Sequence, residues 1–282
     1  MRATTRALRR VSVLGIAVAV AGVVVAPSAS ASTHAPRPLA ALGDSYSSGE
    51  ANPPFDASAP GCDRSQNAWP VLAAAILGRA ATNLACSGAK TADVVTPYKD
   101  QPAQVDALKA LRPRPGIVTI TIGGNDAGFS TVIGACVLAD CVKSGAVAAA
   151  DVTIVTVLPD RLLDTYRAVE KAAPRARLVV VGYPRLFPRR QADVTAACPW
   201  LANRERKALN ASTDLLNLEI RLAAWRAGAR YVDVSKTLAG HELCTKDSWV
   251  FPIGVGDAPQ YWAHPILPGQ QAIAARVATA LG

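Results

Sequence analysis

Ser45 stands in Gly43-Asp44-Ser45-Tyr46, directly after the apolar run Pro38-Leu39-Ala40-Ala41-Leu42 and before the small polar stretch Ser47-Ser48-Gly49-Glu50. A serine lifted by a glycine-assisted turn at the end of a short buried strand is a candidate nucleophile, provided a base takes its proton. The chain has three histidines, His34, His241 and His264. His34 lies in a ragged N-terminal region, and His241 sits three residues before Cys244, where a structural place in a disulfide-bound loop is the simpler role. His264, just ahead of Pro265 and the Pro268-Gly269 helix start, is therefore the best base. Attack on an ester carbonyl builds charge on its oxygen, which preorganised donors must meet. Gly88, in Ala85-Cys86-Ser87-Gly88-Ala89, offers a backbone N–H with no side chain in the way. Asn125, in Ile122-Gly123-Gly124-Asn125-Asp126, offers an amide, and Ser45 its own backbone N–H. The neighbouring Asp44 and Asp126 read as caps of turns or helices rather than proton carriers. Acyl transfer by this set needs no metal and no organic cofactor.

Segments spread from residue 43 to residue 264 must be brought together by a rigid frame. Apolar, β-branched runs alternate with helical patterns, which is the signature of a parallel α/β sheet. The expected strands are Leu39–Leu42, Thr82–Ala85, Ile117–Ile122, Leu178–Val181 and Tyr231–Val234. The expected helices are Ala68–Ile76, Gln104–Leu111, Leu158–Ala172, Arg204–Ala227 and Pro268–Leu281. In the last of these, Ile273, Val277 and Leu281 recur at helical spacing. The connections after the first and third strands are long and rich in Gly, Pro and Cys, and read as functional loops at one edge of the sheet. Three of the four chemical segments follow or adjoin predicted strands, the edge where open α/β folds bind ligands.

Taken together and in this order, the four segments resemble the GDSL family of esterases and lipases, also called SGNH hydrolases. The resemblance runs from Ala40 to the C-terminus, and within the family the chain looks most like the secreted, three-disulfide lipases and phospholipases of actinobacteria. It implies a three-layer α/β/α fold with a flavodoxin-like, five-stranded parallel sheet. It also implies catalysis by Ser45 and His264, with an oxyanion hole of Ser45, Gly88 and Asn125. One position departs from the family. The acid usually found three residues before the histidine is replaced by Tyr261, and the nearest upstream acid is Asp257. Two readings follow: a backbone carbonyl near Tyr261 orients His264 in a Ser-His dyad, or Asp257 folds back to do so.

The remaining chain sets the compartment. Arg2, Arg6, Arg9 and Arg10 precede an apolar stretch from Val11 to Val25, and small residues end in Ala29-Ser30-Ala31. This reads as a secretory signal over residues 1–31, followed by a single domain over 32–282. The apolar run falls short of the roughly 20 residues that span a bilayer. Without the four leader arginines, the formal charge of +9 falls to about +5, and no aromatic-interleaved basic patch speaks for nucleic acid. All six cysteines lie in the mature part, and an even number in an exported chain implies disulfides. Of the 15 pairings that six cysteines allow, the simplest is sequential: Cys62–Cys86, Cys136–Cys141 and Cys198–Cys244. The aromatic-rich stretch before His264, with Phe251 and Trp262, and Tyr46 beside the nucleophile are expected to wall an acyl pocket. The reading is a secreted, extracellular, monomeric enzyme acting on a small-molecule or lipid ester, with transient contact at a lipid surface. The rivals are a carbohydrate acetyl esterase and a catalytically silent lipid- or glycan-binding protein.

Overall fold

Strand β1 (Leu39–Gly43) is buried along its whole length; a run of small and aliphatic residues without a polar face suits a strand covered on both sides. A computed structural model describes residues 36–196, 198–254 and 258–282. Within them β1 leads into α1 (Ser45–Ser48), α2 (Trp69–Ile76), β2 (Ala81–Asn83), α3 (Thr91–Val95) and α4 (Gln104–Ala110). The chain continues through β3 (Ile117–Thr121), α5 (Phe129–Leu138), α6 (Ala146–Thr156), α7 (Leu158–Ala172) and β4 (Arg177–Val181). It closes with α8 (Asn203–Arg226), β5 (Arg230–Val232) and α9 (Leu267–Leu281).

The strands form one sheet in the order β2-β1-β3-β4-β5, and every pair is parallel. This is the flavodoxin-like order. Side chains alternate faces along each strand. Ala40, Leu42, Val118, Ile120, Leu178 and Val180 pack with residues of the helices from α3 to α8. Leu39, Ala41, Ile117, Val179, Val181 and Val232 pack with Trp69, Ala73 and Ala74 of α2 and Ile273, Ala274 and Val277 of α9. Two cores on one sheet make the three layers. Among the described residues no helix is long and apolar enough to cross a membrane.

Two differences from the sequence reading have physical causes. Strands β2 and β5 start one residue earlier and end two earlier than expected, because each is an edge strand paired on one side only. The stretch after β3 is not a long loop; it holds α5 and α6. Helix α6 buries Val147, Ala150 and Ile154 at helical spacing, but Val152 and Val155 are exposed, so apolar residues on both faces hide the period.

The end of β1 is held tightly. Gly43 has φ +123°, and a Cβ there would lie 2.1 Å from the Thr121 carbonyl oxygen, so only glycine fits. Its N–H donates to Gln104 Oε1 at 2.7 Å, and Gln104 Nε2 donates to its carbonyl at 2.9 Å. The structure pairs Cys62 with Cys86, Cys136 with Cys141 and Cys198 with Cys244. The first matters most for the site, since it ties the loop after α1 to the segment after β2. Closing its 24-residue separation removes unfolded-state freedom worth about 3 kcal/mol.

Candidate active site

Ser45 is the first residue of α1, two residues past the end of β1. Asp44 caps that helix, accepting the Tyr46 N–H at 3.0 Å. Its other oxygen accepts the Tyr183 hydroxyl, which in turn accepts the Gly124 N–H at 2.9 Å. One carboxyl thus links the nucleophile turn to the turn that carries Asn125. Burial pushes the pKa of Asp44 up to about 7, against the lowering effect of the Tyr183 and Tyr46 hydrogen bonds.

His264 lies 219 residues from Ser45 in sequence, yet its Nε2 is 2.8 Å from Ser45 Oγ. The segment around it is a short antiparallel pair: the Phe251 N–H donates to the His264 carbonyl at 2.8 Å, and the Ala263 N–H to the Phe251 carbonyl at 3.0 Å. Two groups from the nucleophile side then clamp it. The Tyr46 hydroxyl donates to the Ala263 carbonyl at 2.8 Å, and Asn52 Nδ2 to the Pro265 carbonyl at 2.9 Å. Burial lowers the imidazole pKa to about 4, partly offset by the backbone carbonyls of Tyr261, Trp262 and Gln260. The ring is therefore neutral at ordinary pH, the form able to accept a proton. Its Nδ1 makes no hydrogen bond of ordinary geometry among the described residues, so those carbonyls act on it through long or off-axis contacts. Tyr261 is bonded to His264 through the backbone, its carbonyl accepting the His264 N–H at 3.2 Å. Asp257, the other expected partner, lies outside the described residues.

The donors sit beside this pair. The segment after β2 continues alongside β1, with the Cys86 N–H donating to the Gly43 carbonyl at 3.0 Å. That brings Gly88 next to the nucleophile turn. Gly88 has φ +78°, and a Cβ there would come 2.9 Å from the Tyr98 hydroxyl. The backbone N–H groups of Ser45 and Gly88 find no acceptor among the described residues. Asn125 Nδ2 gives one hydrogen to the Ala89 carbonyl at 2.9 Å, leaving the second for another acceptor. Asp126 accepts both the N–H (2.9 Å) and the hydroxyl (2.6 Å) of Thr91, binding the two donor loops to each other.

A cavity of about 210 Å³ opens over Ser45, lined among others by Tyr46, Gly88, Asn125, Phe129, Leu216 and His264. An apolar recess of about 50 Å³ adjoins it, sharing Phe129, Leu186 and Leu216 and reaching Val132, Ile154 and Phe187. The expectation that Phe251 and Trp262 wall this cleft is corrected: neither lines it. Phe251 packs edge-on against Tyr261 at 5.8 Å, and Trp262 packs against the core. Trp249 stacks at 3.6 Å on His241, which keeps that histidine in its loop. Aromatic density marked packing under the C-terminal loop, and the wall comes instead from α5 and α8. Sequence reasoning also missed Glu50, whose carboxyl lines the cleft. Its signal was present, an acid five residues beyond the candidate nucleophile in a stretch that reads as a polar flank.

A parallel α/β sheet that seats a hydrogen-bonded serine and neutral histidine beside unspent N–H donors is the frame of an acyl-ester hydrolase. Residues 41–272 match the GDSL-like Lipase/Acylhydrolase family. The chain is 34% identical over 272 residues to Lipase 1 of Streptomyces coelicolor, spanning 94% of this chain and 95% of that protein. Among solved structures it is similar to the extracellular lipase from Streptomyces rimosus, at 33% identity and TM-score 0.75, covering 86% of this chain and 99% of that one. The phospholipase A1 from Streptomyces albidoflavus NA297 gives 34% identity and TM-score 0.75, with 88% and 99% covered. The chain belongs to the GDSL-like lipase/acylhydrolase family.

Proposed function

We propose that this carboxylic ester hydrolase works through an acyl-enzyme on Ser45, with His264 as its base and no third carboxylate behind the imidazole. The observation that carries the reading is the 2.8 Å contact between His264 Nε2 and Ser45 Oγ. Nε2 takes the hydroxyl proton as Oγ attacks the ester carbonyl. The charge on the carbonyl oxygen is met by the N–H groups of Ser45 and Gly88 and the free amide hydrogen of Asn125. The imidazolium then returns its proton to the departing alcohol, and water repeats the sequence to release the acid. The carbonyls of Gln260, Tyr261 and Trp262, which raise the proton affinity of the ring, support a Ser-His dyad.

The substrate side of the reading rests on the apolar recess. Val132, Ile154, Phe187 and Leu216 offer nothing to a sugar hydroxyl but suit a hydrocarbon chain. Relatives named as lipases and a phospholipase A1 support acyl esters: glycerides, p-nitrophenyl esters and phospholipids. Each methylene buried there is worth about 0.8 kcal/mol, roughly fourfold in kcat/KM. Rates over a p-nitrophenyl series should therefore rise from acetate to the chain that fills the recess and then fall. Leu216→Trp should move the optimum back toward acetate. A wild-type enzyme that prefers acetate alone would instead support removal of acetyl groups from carbohydrate.

Residues 1–31 act in this reading as a leader that exports the chain, in keeping with three disulfides and an extracellular relative. The exported protein should begin at Ser32; an intact Met1 in the mature enzyme refutes the leader.

A further inference from the structure

Glu50 has no part in the dyad mechanism, yet it stands at the centre of the site. Gly49 closes α1 in a left-handed conformation, and the Glu50 N–H donates back to the Ser45 carbonyl at 3.2 Å. The side chain is thereby folded into the cleft, where it is 3% exposed. Its Oε2 accepts the Ser87 hydroxyl at 2.5 Å and lies 3.5 Å from His264 Nε2. Ser87 is in turn fixed from outside, its carbonyl accepting Lys99 Nζ at 2.8 Å. The carboxyl is thus aimed at the nitrogen that exchanges protons with Ser45, not at Nδ1, where a triad acid would sit.

We propose that the Glu50 carboxylate, gripped by the Ser87 hydroxyl and set beside Nε2, is a third catalytic group that stabilises the imidazolium each time Nε2 takes up a proton. The inference rests on the Ser45–His264 reading and adds to it a charge on the opposite side of the ring. The proton itself moves as already described, from Oγ to Nε2 and on to the departing alcohol, while Glu50 stays ionised throughout. Such a charge acts in a cleft where little water screens it, so it is worth far more than at the surface. It answers the absence of an acid three residues before the histidine.

The placement ties activity to the ionisation of Glu50. Burial lifts its pKa to about 7, opposed by the Ser87 hydrogen bond; Asp63 raises it further and Lys99 lowers it. The phenols of Tyr46, Tyr98 and Tyr261 and the carboxyl of Asp44 also face its charge. Below that pH the carboxyl is neutral and cannot balance the imidazolium, so kcat/KM falls on the acid side while His264, with a pKa of about 4, is still neutral. The acid limb therefore reports the Glu50–His264 pair, two groups 3.5 Å apart that titrate together, and it moves with the carboxyl.

The test is the pH profile of kcat/KM on p-nitrophenyl butanoate for the wild type, Glu50→Gln and Ser87→Ala. Glu50→Gln should lower the rate at pH 8 by roughly 10- to 100-fold and move the acid limb down toward the midpoint of His264. Ser87→Ala removes the bond that holds the carboxylate ionised and should move the limb up. Opposite shifts support the proposal, because a merely structural role has no reason to divide them. A Glu50→Gln enzyme with an unmoved limb and a rate within about twofold of wild type overturns it. If Glu50→Gln fails to fold, an unmoved limb in Ser87→Ala overturns it equally. Ser45→Ala run alongside separates the two readings: a rate there within about tenfold of wild type faults the dyad, whereas an unmoved limb with Ser45→Ala down by about 10⁶-fold faults Glu50 alone.

Discussion

Ser45→Ala and His264→Ala should each lower kcat by on the order of 10⁶-fold, and the double variant should be little worse than either. The two side chains form one device across their 2.8 Å contact, so removing one disables the other. Residual rates should stay about 10³- to 10⁴-fold above water, since the oxyanion donors and the cleft remain. KM should change little, because neither side chain contributes to the apolar recess. Asp257→Asn is the informative contrast. A triad acid lost in this way costs roughly 10⁴ in kcat, whereas a dyad predicts a rate close to wild type. A His264→Ala enzyme within tenfold of wild type, or an Asp257→Asn enzyme crippled by thousands, would contradict the mechanism. Steady-state kinetics on the purified mature protein read both.

Asn125→Ala should cost on the order of 10²- to 10³-fold in kcat, about 3–4 kcal/mol, with KM nearly unchanged. Asn125 also donates to the Ala89 carbonyl at 2.9 Å, so part of any loss is structural, but magnitudes separate the two roles. An ordinary hydrogen bond contributes about 1 kcal/mol to stability, far short of the rate effect. The loop stays tied by Asp126 to Thr91 and by Tyr183 to Gly124. Thermal unfolding should therefore shift by only a few degrees while the rate collapses. A rate that falls only in step with stability would remove Asn125 from the oxyanion hole.

The residues of the candidate site were more legible in the sequence than the machinery that holds them. Ser45, Gly88, Asn125 and His264 sit in short segments whose residue types are unusual for bland turns, and three of them follow or adjoin strong apolar runs. The buried β1, the core strands β3 and β4, and α7 and α9 were readable because their apolar patterns are continuous or cleanly periodic. Helices α5 and α6 were not, since Ala, Gly, Val and Thr on both faces erase the contrast that periodicity needs. The supports act at long range and leave no local mark. Gln104 clamps Gly43 from 61 residues away, Tyr183 reaches Asp44 across 139, and Tyr46 holds the Ala263 carbonyl across 217. The acyl wall was misplaced for a related reason: aromatic residues announce burial, but a sequence does not say which cavity they face.

The central claim is that Ser45 carries the acyl group during turnover. Quenching the enzyme in acid while it hydrolyses p-nitrophenyl butanoate, followed by digestion and mass analysis, tests this most directly. A butanoyl group should appear on the peptide containing Ser45 and be absent from His264→Ala at the same time point. A butanoyl group on any other side chain, or release of p-nitrophenol by Ser45→Ala at a rate within about tenfold of wild type, would contradict the account.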